Sequence, residues 1–424
     1  MQQNAFERRS PFKTYMGLAM PVVVGMVITI IYNIVDTYFV ARTGNTAMIA
    51  GVSLCAPIFT ILMAFGNIFG QGGSSLIARL YGQKNTDDTK RVSSFCFYTA
   101  LLTGAAVGLI LLVFNGLFLS LLGANGDTMA HAKPYYLVMA CGAPFLVANF
   151  VHTNLMRAEG MAKESMIGNI LGVAVNIALD PILILVLRMN AMGAALASVL
   201  GYITTDLFML LMVLKKSRIL SVDPKLMRIR GRYFLQIGGV GLSAAITNWM
   251  SSLCMIIINQ YLLVYGVRSI AAMGVCQKMS MIVLLVATGM VFGGAPLIGY
   301  FYGARRFKEL KRILRMILLI VEGVTITISL LVLLAAEPLA SVFLTEKALV
   351  AEAAMMLRLQ VITMFLAVAI MLATVCFQAS GLAIPALIVS VMRQGVVFFG
   401  VIVAVIFMLT FMRRCREPEG ETTK

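Results

Sequence analysis

The chain has 424 residues, of which 60% are hydrophobic and only 12% are charged, and its formal net charge at pH 7 is +16. Soluble domains carry about 25% charged residues, so this composition excludes an ordinary soluble protein and indicates a polytopic helical membrane protein. The positive charge does not indicate nucleic-acid binding, because the basic residues lie in short segments between long apolar runs, as the positive-inside rule expects.

Eleven apolar runs, each long enough to cross a bilayer as a helix, follow one another along the chain. They lie at about residues 17–41, 49–72, 92–114, 132–156, 162–187, 191–214, 236–264, 270–298, 312–336, 350–378 and 384–411. Their length favours an all-α protein over a membrane barrel, whose strands span about ten residues. The seven cysteines are scattered without CxxC or Cys/His spacing, so we expect neither a metal centre of that kind nor a disulfide framework.

The Lys and Arg residues predict the orientation of the chain. With the amino terminus inside, the segments on the inner side carry 22 basic residues and those on the outer side carry 6. The positive-inside rule therefore predicts a multi-pass protein of the plasma (inner) membrane with a cytoplasmic amino terminus.

A basic linker at residues 215–235 divides the chain into an amino-terminal lobe, 1–214, and a carboxy-terminal lobe, 236–424. The two lobes repeat, since GGSSLIARLYG at 72–82 returns as GGAPLIGYFYG at 293–303, with an offset of 221 residues. A parallel repeat predicts two pseudo-symmetric bundles of the six-helix type with a substrate site at their interface.

The repeat is incomplete at the carboxy terminus. The sixth run has no counterpart, because the last run ends near residue 411 and a basic tail leads to Lys424. We therefore expect six spans in the first lobe and five in the second, with a twelfth span missing from a shortened or altered carboxy terminus; the alternative is a natural eleven-span variant.

The acids inside predicted spans of the first lobe include Asp36 in the first run and Asp180 in the fifth. A carboxylate inside a membrane helix costs about 2.5–3.5 kcal/mol on insertion scales, which makes each a functional candidate. At 1.5 Å per residue they lie roughly 9 and 12 Å from the outer ends of their spans, and therefore at similar depth. The alternatives are a helix cap or an ion pair near the interface.

Amides accompany both acids. Asn33 and Asn176 fall about one turn further in, on the same helix faces as Asp36 and Asp180. Pro181 removes an amide hydrogen and disturbs the hydrogen bond to a carbonyl four residues back, which frees an oxygen or lets the helix bend.

Six stretches together resemble the multidrug and toxin extrusion (MATE) family of cation-coupled exporters. They are IYNIVDTYFVARTGN (31–45), AGVSLCAPI (50–58), GQGGSSLIARLYGQKN (70–85), LMRAEGMAKESMIGNILGVAVNIALDPILI (155–184), GAALAS (193–198) and GAPLIGYFYGAR (294–305). The resemblance implies two lobes that alternate between outward-open and inward-open forms. It also implies that entry of Na+ or H+ drives the export of amphipathic, often cationic drugs, with no cofactor beyond the coupling ion.

The family's ion-binding motif maps onto Asp36, Asn176 and Asp180, and its sixth-span hydroxyl position falls on Ser198. Asn154 matches a polar family position at the end of the fourth span. Two carboxylates with amide and hydroxyl oxygens suit a hard cation such as Na+ at Asp36, Asn176 and Asp180. The same pair suits a proton, because burial favours the neutral carboxyl form.

Further polar residues within or at the ends of spans are candidates for a cavity or gate. They are Asn33, Asn154, Arg157, Glu159, Asn259, Gln260, Lys278 and Glu322. Arg157 and Glu159 either pair as a gate contact or mark the membrane interface. Lys278 either faces a cavity or snorkels outward. Glu322 is either a second coupling or cargo site or an acid paired elsewhere.

Two other functions compete with the exporter. A lipid-linked oligosaccharide flippase of the same superfamily would carry several basic residues in its cavity. An intramembrane transferase would need an aspartate-rich metal motif, and the sequence has only two histidines and no such motif, so we expect no enzyme. We expect small-molecule cargo, membrane lipid around the protein, no nucleic-acid partner and a monomer.

Overall fold

The computed structural model describes residues 6, 10–41, 46–124, 126–263, 267–341 and 346–393. Over these residues the regular structure is helical. The helices are α1 (Pro11–Ala41), α2 (Thr46–Leu54), α3 (Ala56–Gly82), α4 (Thr86–Val113), α5 (Asn115–Leu121), α6 (Gly126–Glu159), α7 (Ala162–Asp180), α8 (Asn190–Lys216), α9 (Gly231–Leu263), α10 (Val267–Gly303), α11 (Phe307–Leu334), α12 (Ala336–Ser341), α13 (Lys347–Ile362), α14 (Met364–Ala379) and α15 (Ala383–Val391).

The all-α, polytopic prediction is confirmed. Among the described residues, eight helices are long and apolar enough to cross a membrane, and a ninth span results if α13 and α14, which meet at a 43° bend, are counted as one. The predicted run 236–264 coincides with α9 as far as Leu263, and most of the run 384–411 lies outside the described residues. The predicted arrangement of six and five spans therefore stays a prediction.

The internal repeat reappears in the backbone. Gly160 after α6 and Gly381 after α14, which are 221 residues apart, both have positive φ, of 97° and 78°. Lys84 after α3 and Arg305 after α10 are separated by the same offset and also adopt positive φ. Each turn closes with a pair of hydrogen bonds to the preceding helix, the usual left-handed way of ending a helix.

These turns lie at one end of the bundle, which we call the basic end. It comprises residues 79–91, 157–163, 215–232 and 304–312, and it is the end that the charge distribution assigns to the cytoplasm. The linker is held there against α4, because Ser93 and Ser94 both donate to the carbonyl of Ser221 and Tyr98 donates to Val222.

Two large apolar cores stabilise the fold. The first is built from α3, α4, α6 and α8 and includes Tyr233 and Ile237 of α9. The second is built from α10, α11 and α14 and includes Tyr15 and Leu18 of α1. Helix α1 therefore joins the two halves, and the Tyr15 hydroxyl donates a hydrogen bond to the carbonyl of Met290. The lobe boundaries at 214 and 236 stay predictions.

Glycines bring α3 of the first half into backbone contact with α10 of the second. A Cβ at Gly82 would overlap the carbonyl of Tyr300, and a Cβ at Gly303 would overlap the carbonyl of Arg79. Both glycines and both carbonyl positions are related by the 221-residue repeat. The contact is therefore reciprocal, as at an interface with two-fold symmetry, and it supports the predicted pseudo-symmetry.

A second pair of glycines joins α3 to α9. A Cβ at Gly72 would overlap the carbonyl of Ile237, and a Cβ at Gly241 would overlap the carbonyl of Ile68. Gly238, three residues away on α9, has no atom within 4 Å of the position that its Cβ would take. Only one of these two α9 glycines is therefore needed for the contact.

We predict that Gly241→Ala destabilises the protein and that Gly238→Ala does not. The added methyl group at Gly241 overlaps backbone, and overpacking of this kind costs about 1–3 kcal/mol. At Gly238 the methyl group meets no other atom, so the remaining effect is the higher helix propensity of alanine, which stabilises the helix by up to about 1 kcal/mol. Thermal unfolding of the purified variants in detergent measures the difference. Equal melting temperatures for the two variants would refute this role of Gly241.

Candidate functional site

A polar cluster lies in the first half, where α7 ends. Pro181 follows Asp180 and lacks an amide hydrogen, so the α-helical hydrogen-bond ladder breaks there and residues Pro181–Val186 form a π-helical turn. Such turns are frequent at functional sites. This local break terminates α7 at Asp180 inside the bundle.

Hydrogen bonds connect three helices at this cluster. The Asn176 side-chain amide on α7 donates to Ser198 Oγ on α8 at 3.3 Å. The Tyr32 hydroxyl on α1 lies 3.0 Å from the same Ser198 oxygen. Among the described residues, nothing donates a hydrogen bond to the buried Asn176 Oδ1, which is therefore available as a ligand atom.

Asp180 is completely buried, with 0% of its surface exposed. It lies one turn from Asn176 on the same helix, and the rise from Ala162 places it about 27 Å from the basic end. Asp36 lies on α1, which packs directly against α7. The side chains of Asp36 and Asn33 lie outside the described residues, so their approach to Asp180 stays a prediction.

The chemistry of this cluster is that of oxygen ligands. Within the described ranges, no group of three or more His, Cys, Asp or Glu side chains is arranged to hold a metal ion. Carboxylate, amide and hydroxyl oxygens suit a hard monovalent cation or a proton rather than a transition metal.

A cavity between the two halves forms a second candidate region near the basic end. Its enclosed volume is small, about 40 Å³. Its walls come from α3 and α6 on one side and from α10 and α14 on the other, with these side chains: Gln71, Ser74, Ser75, Asn154, Arg157, Ala158, Phe292, Ala295, Pro296, Val375, Gln378 and Ala379. Asn154 and Arg157 were predicted as cavity or gate residues, and both line it.

The remaining cavity or gate candidates lie elsewhere. Glu159 accepts hydrogen bonds from Ser217 Oγ and from the backbone amides of Arg218 and Ile219, so it fastens the linker. Lys278 on α10 is exposed. Glu322 on α11 has both carboxylate oxygens buried without a hydrogen-bond partner among the described residues.

Asn259 and Gln260 belong to α9, and their side chains lie outside the described residues. Their predicted roles stay predictions.

The cavity is closed at the basic end by contacts between the halves. Ser75 Oγ donates to the carbonyl of Gln378, with the carbonyl of Ala379 3.4 Å away. Arg79 Nη1 donates to Gln236 Oε1 at 3.3 Å. We call these contacts, together with the glycine contacts of α3, the basic-end closure.

Sequence reasoning missed several residues of both regions. Tyr32 lies one turn before Asp36 on the same helix face, and this spacing could have identified it as a candidate. Gln71 and Gln378 gave no signal, because a single amide in an apolar run has many possible neighbours. Outside both regions, Asp206, an acid inside the sixth predicted span, lies 3.4 Å from His152, and this pairing across 54 residues is not revealed by any local pattern.

Comparison with known proteins identifies the family. The MatE family model matches residues 21–182 and 240–407, which together are well over half of the chain. The chain belongs to the MatE family. The two matched stretches lie on either side of the basic linker, in keeping with the internal repeat.

Curated relatives of this MatE protein match over nearly its whole length. Multidrug export protein MepA of Staphylococcus saprophyticus subsp. saprophyticus is 32% identical over 94% of this chain and 88% of the relative. MepA of Staphylococcus aureus strain MRSA252 is 31% identical over the same shares of the two chains.

A solved structure has the same fold. It is described as the outward-facing conformation of a multidrug resistance MATE family transporter of the MOP superfamily, and it matches with a TM-score of 0.86 at 24% identity, over 96% of each chain. At this identity the likeness shows the fold alone.

We predict that Ser75→Ala weakens the basic-end closure. A hydrogen bond of this kind contributes about 1 kcal/mol, so its loss should increase the population of the open form about fivefold. A cysteine reporter in the cavity, Ala158→Cys in a background without other reactive cysteines, measures this change. It should react about fivefold faster in the Ser75→Ala variant than with Ser75 intact, when an impermeant maleimide is added from the basic end.

Ser53→Ala is the matched control, because Ser53 Oγ donates only to Ile49 of its own helix. Identical labelling rates in the Ser75→Ala and Ser53→Ala backgrounds would contradict the assignment of Ser75 to the closure.

Proposed function

We propose that this protein is a cation-coupled antiporter that exports amphipathic compounds across the plasma membrane by alternating access. The function of its relatives, which are named as multidrug export proteins, supports the export function. The observation that carries the coupling proposal is the buried cluster of Asp180, Asn176 and Ser198 at the end of α7.

The coupling ion is Na+ or H+. Asn176 donates from its amide group to Ser198, so its buried Oδ1 remains available as an acceptor one helical turn from the fully buried Asp180. A carboxylate buried in low dielectric needs a cation or a proton to offset its charge. Asp36 would supply the second acid from α1, and binding of the ion would neutralise the pair.

Helix α1 is the proposed connection between ion binding and the cargo pathway. It packs against α7 beside the cluster and against α10 in the second half, and Tyr32 joins it to α8 through Ser198. A change of charge at Asp36 and Asp180 would therefore alter the packing of a helix that belongs to both halves. This is the general scheme in which a local charge event biases an element with two states.

The described conformation corresponds to an outward-facing state in the predicted orientation. The basic-end closure brings α3, α9, α10 and α14 together at the end assigned to the cytoplasm. Opening of this closure, with closure at the opposite end, would give the inward-facing state.

The flippase alternative is less well supported by the cavity. A carrier of a lipid-linked oligosaccharide was expected to line its cavity with several basic residues, and one, Arg157, is among the lining side chains.

We predict that Asp180→Asn and Asp36→Asn each reduce ion-driven efflux at least tenfold. An amide is not protonated near neutral pH, and it carries no negative charge to balance a bound cation. Uptake of a fluorescent organic cation into everted membrane vesicles, in which export is directed inward, measures the effect, and Na+ and pH gradients imposed separately identify the ion. Asp87→Asn is the matched control, since Asp87 is an exposed acid in the first turn of α4.

Binding of the same dye without a gradient separates loss of coupling from loss of folding. Efflux at the unaltered rate in both variants would rule out the coupling proposal.

A further inference from the structure

A second cavity lies on the surface of the basic end, where the linker leads into α9 beside the start of α4. We call it the linker cavity. It has a volume of about 470 Å³, and it is lined by Asn85, Asp87, Asp88, Arg91, Arg228, Ile229, Arg230 and Tyr233. None of these residues belongs to the ion cluster or to the cavity between the halves.

Three arginines converge on the linker cavity from two elements. Arg91 lies in the second turn of α4, and Arg228 and Arg230 lie in the linker just before α9. All three are exposed, and the ion pairs found among the described residues do not include any of them. Their guanidinium groups therefore keep hydrogen-bond donors available for an anion.

The acids of the lining leave these guanidinium groups available. Asp88 is buried, and its Oδ2 accepts hydrogen bonds from the Tyr233 hydroxyl at 2.7 Å and from Asn85 Nδ2 at 2.8 Å. Asp87 is exposed, and it forms no ion pair within 4 Å with a described basic residue. With three arginines and two acids, the lining carries a formal charge of +1.

Apolar surface leads from the linker cavity along the bundle. Phe95 lies one turn after Arg91 on α4, and Leu102 and Leu109, each 61% exposed, continue the same helix face at seven-residue intervals. Phe234 in the first turn of α9 is half-exposed, and its ring contacts that of Phe95 with 6.2 Å between the centroids. A ligand with an anionic head and a long apolar chain fits this arrangement.

We propose that the linker cavity binds the phosphate headgroup of an anionic phospholipid, with an acyl chain along the exposed face of α4. Guanidinium groups suit phosphate oxygens because they donate two parallel N–H···O bonds. The positive-inside rule explains why basic residues lie at this end, but it does not explain why three of them line one cavity above an apolar face. The site is independent of the proposed export function.

A lipid bound here joins elements that separate when the basic end opens. Arg91 belongs to α4 of the first half, whereas Arg230 immediately precedes α9. Gln236, in the second turn of α9, accepts the hydrogen bond of Arg79 in the basic-end closure. A lipid that holds the start of α9 against α4 therefore stabilises the closed basic end.

Two double variants that remove the same charge test the site. Arg228→Gln with Arg230→Gln removes two guanidinium groups from the linker cavity. Lys215→Gln with Lys225→Gln removes two exposed charges of the same linker that do not line it. The full-length proteins in neutral detergent are titrated with phosphatidylglycerol or with phosphatidylcholine, and bound lipid is measured by native mass spectrometry.

We expect the wild-type protein to bind phosphatidylglycerol in preference to phosphatidylcholine. Each basic residue beside an anionic lipid contributes about fivefold in affinity, so the double arginine variant should bind phosphatidylglycerol about twentyfold more weakly and the double lysine variant within about twofold of wild type. Equal losses in the two double variants, or no preference in the wild type, would overturn the site.

A single variant in another element guards against a local disturbance of the linker. Arg91→Gln leaves the linker sequence intact, and it should weaken phosphatidylglycerol binding about fivefold. Unchanged binding in this variant would overturn the shared headgroup site of α4 and the linker.

Soluble phosphates separate a lipid from a free anion. Inorganic phosphate and glycerol 1-phosphate lack acyl chains, so neither should displace phosphatidylglycerol from the wild-type protein when added in large excess. Displacement by either compound would show a site for soluble phosphates and overturn lipid binding.

The Ala158→Cys reporter measures the effect on the closure. In nanodiscs, labelling from the basic end should be slower with phosphatidylglycerol than with phosphatidylcholine, and the double arginine variant should lose this difference. Equal rates in both lipids for the wild type would overturn the effect on the closure. The binding and labelling measurements do not require transport, so a failure of the export function leaves their outcome unaffected.

Discussion

Close backbone contact between α3 and the helices of the second half is the constraint on which the structure depends. Residues with side chains would keep these helices apart, whereas Gly72 and Gly82 on α3 and Gly241 and Gly303 opposite allow carbonyl groups to approach directly. Small residues provide helix association inside a membrane, where lipid weakens the hydrophobic drive between helices. The closure forms the basic-end boundary of the cavity and joins the two halves in this conformation.

In the proposed mechanism, the two candidate regions bind the ion and the cargo with separate residues. The cluster at the end of α7 offers oxygen ligands beside a fully buried carboxylate, in one half only. The cavity near the basic end offers a guanidinium, amides and an apolar wall from both halves. An ion and a cargo can therefore be bound by chemically different sites, and α1, which contacts both halves, is the element through which they would communicate.

The contrast between Arg157 and Glu159 shows how packing assigns roles. The two residues lie two positions apart near the end of α6, where both the gate and the interface interpretations were reasonable. In the structure Glu159 turns to the linker and accepts three hydrogen bonds, while Arg157 turns to the cavity. Residues two apart on a helix do not share a face, so opposite surroundings are expected once the rotation of α6 is known.

The sequence by itself determined the helical membrane fold, most span positions, the repeat and the candidates Asp180, Asn176 and Ser198. These follow from apolar run length, from the cost of a buried charge and from local motifs, which are properties of short segments. Only the tertiary structure brought Tyr32 to Ser198, across 166 residues, and left Arg157 in a cavity without an acid. The rotation of each helix about its own axis is set by packing against helices distant in the chain, and spacing along one helix does not contain that information.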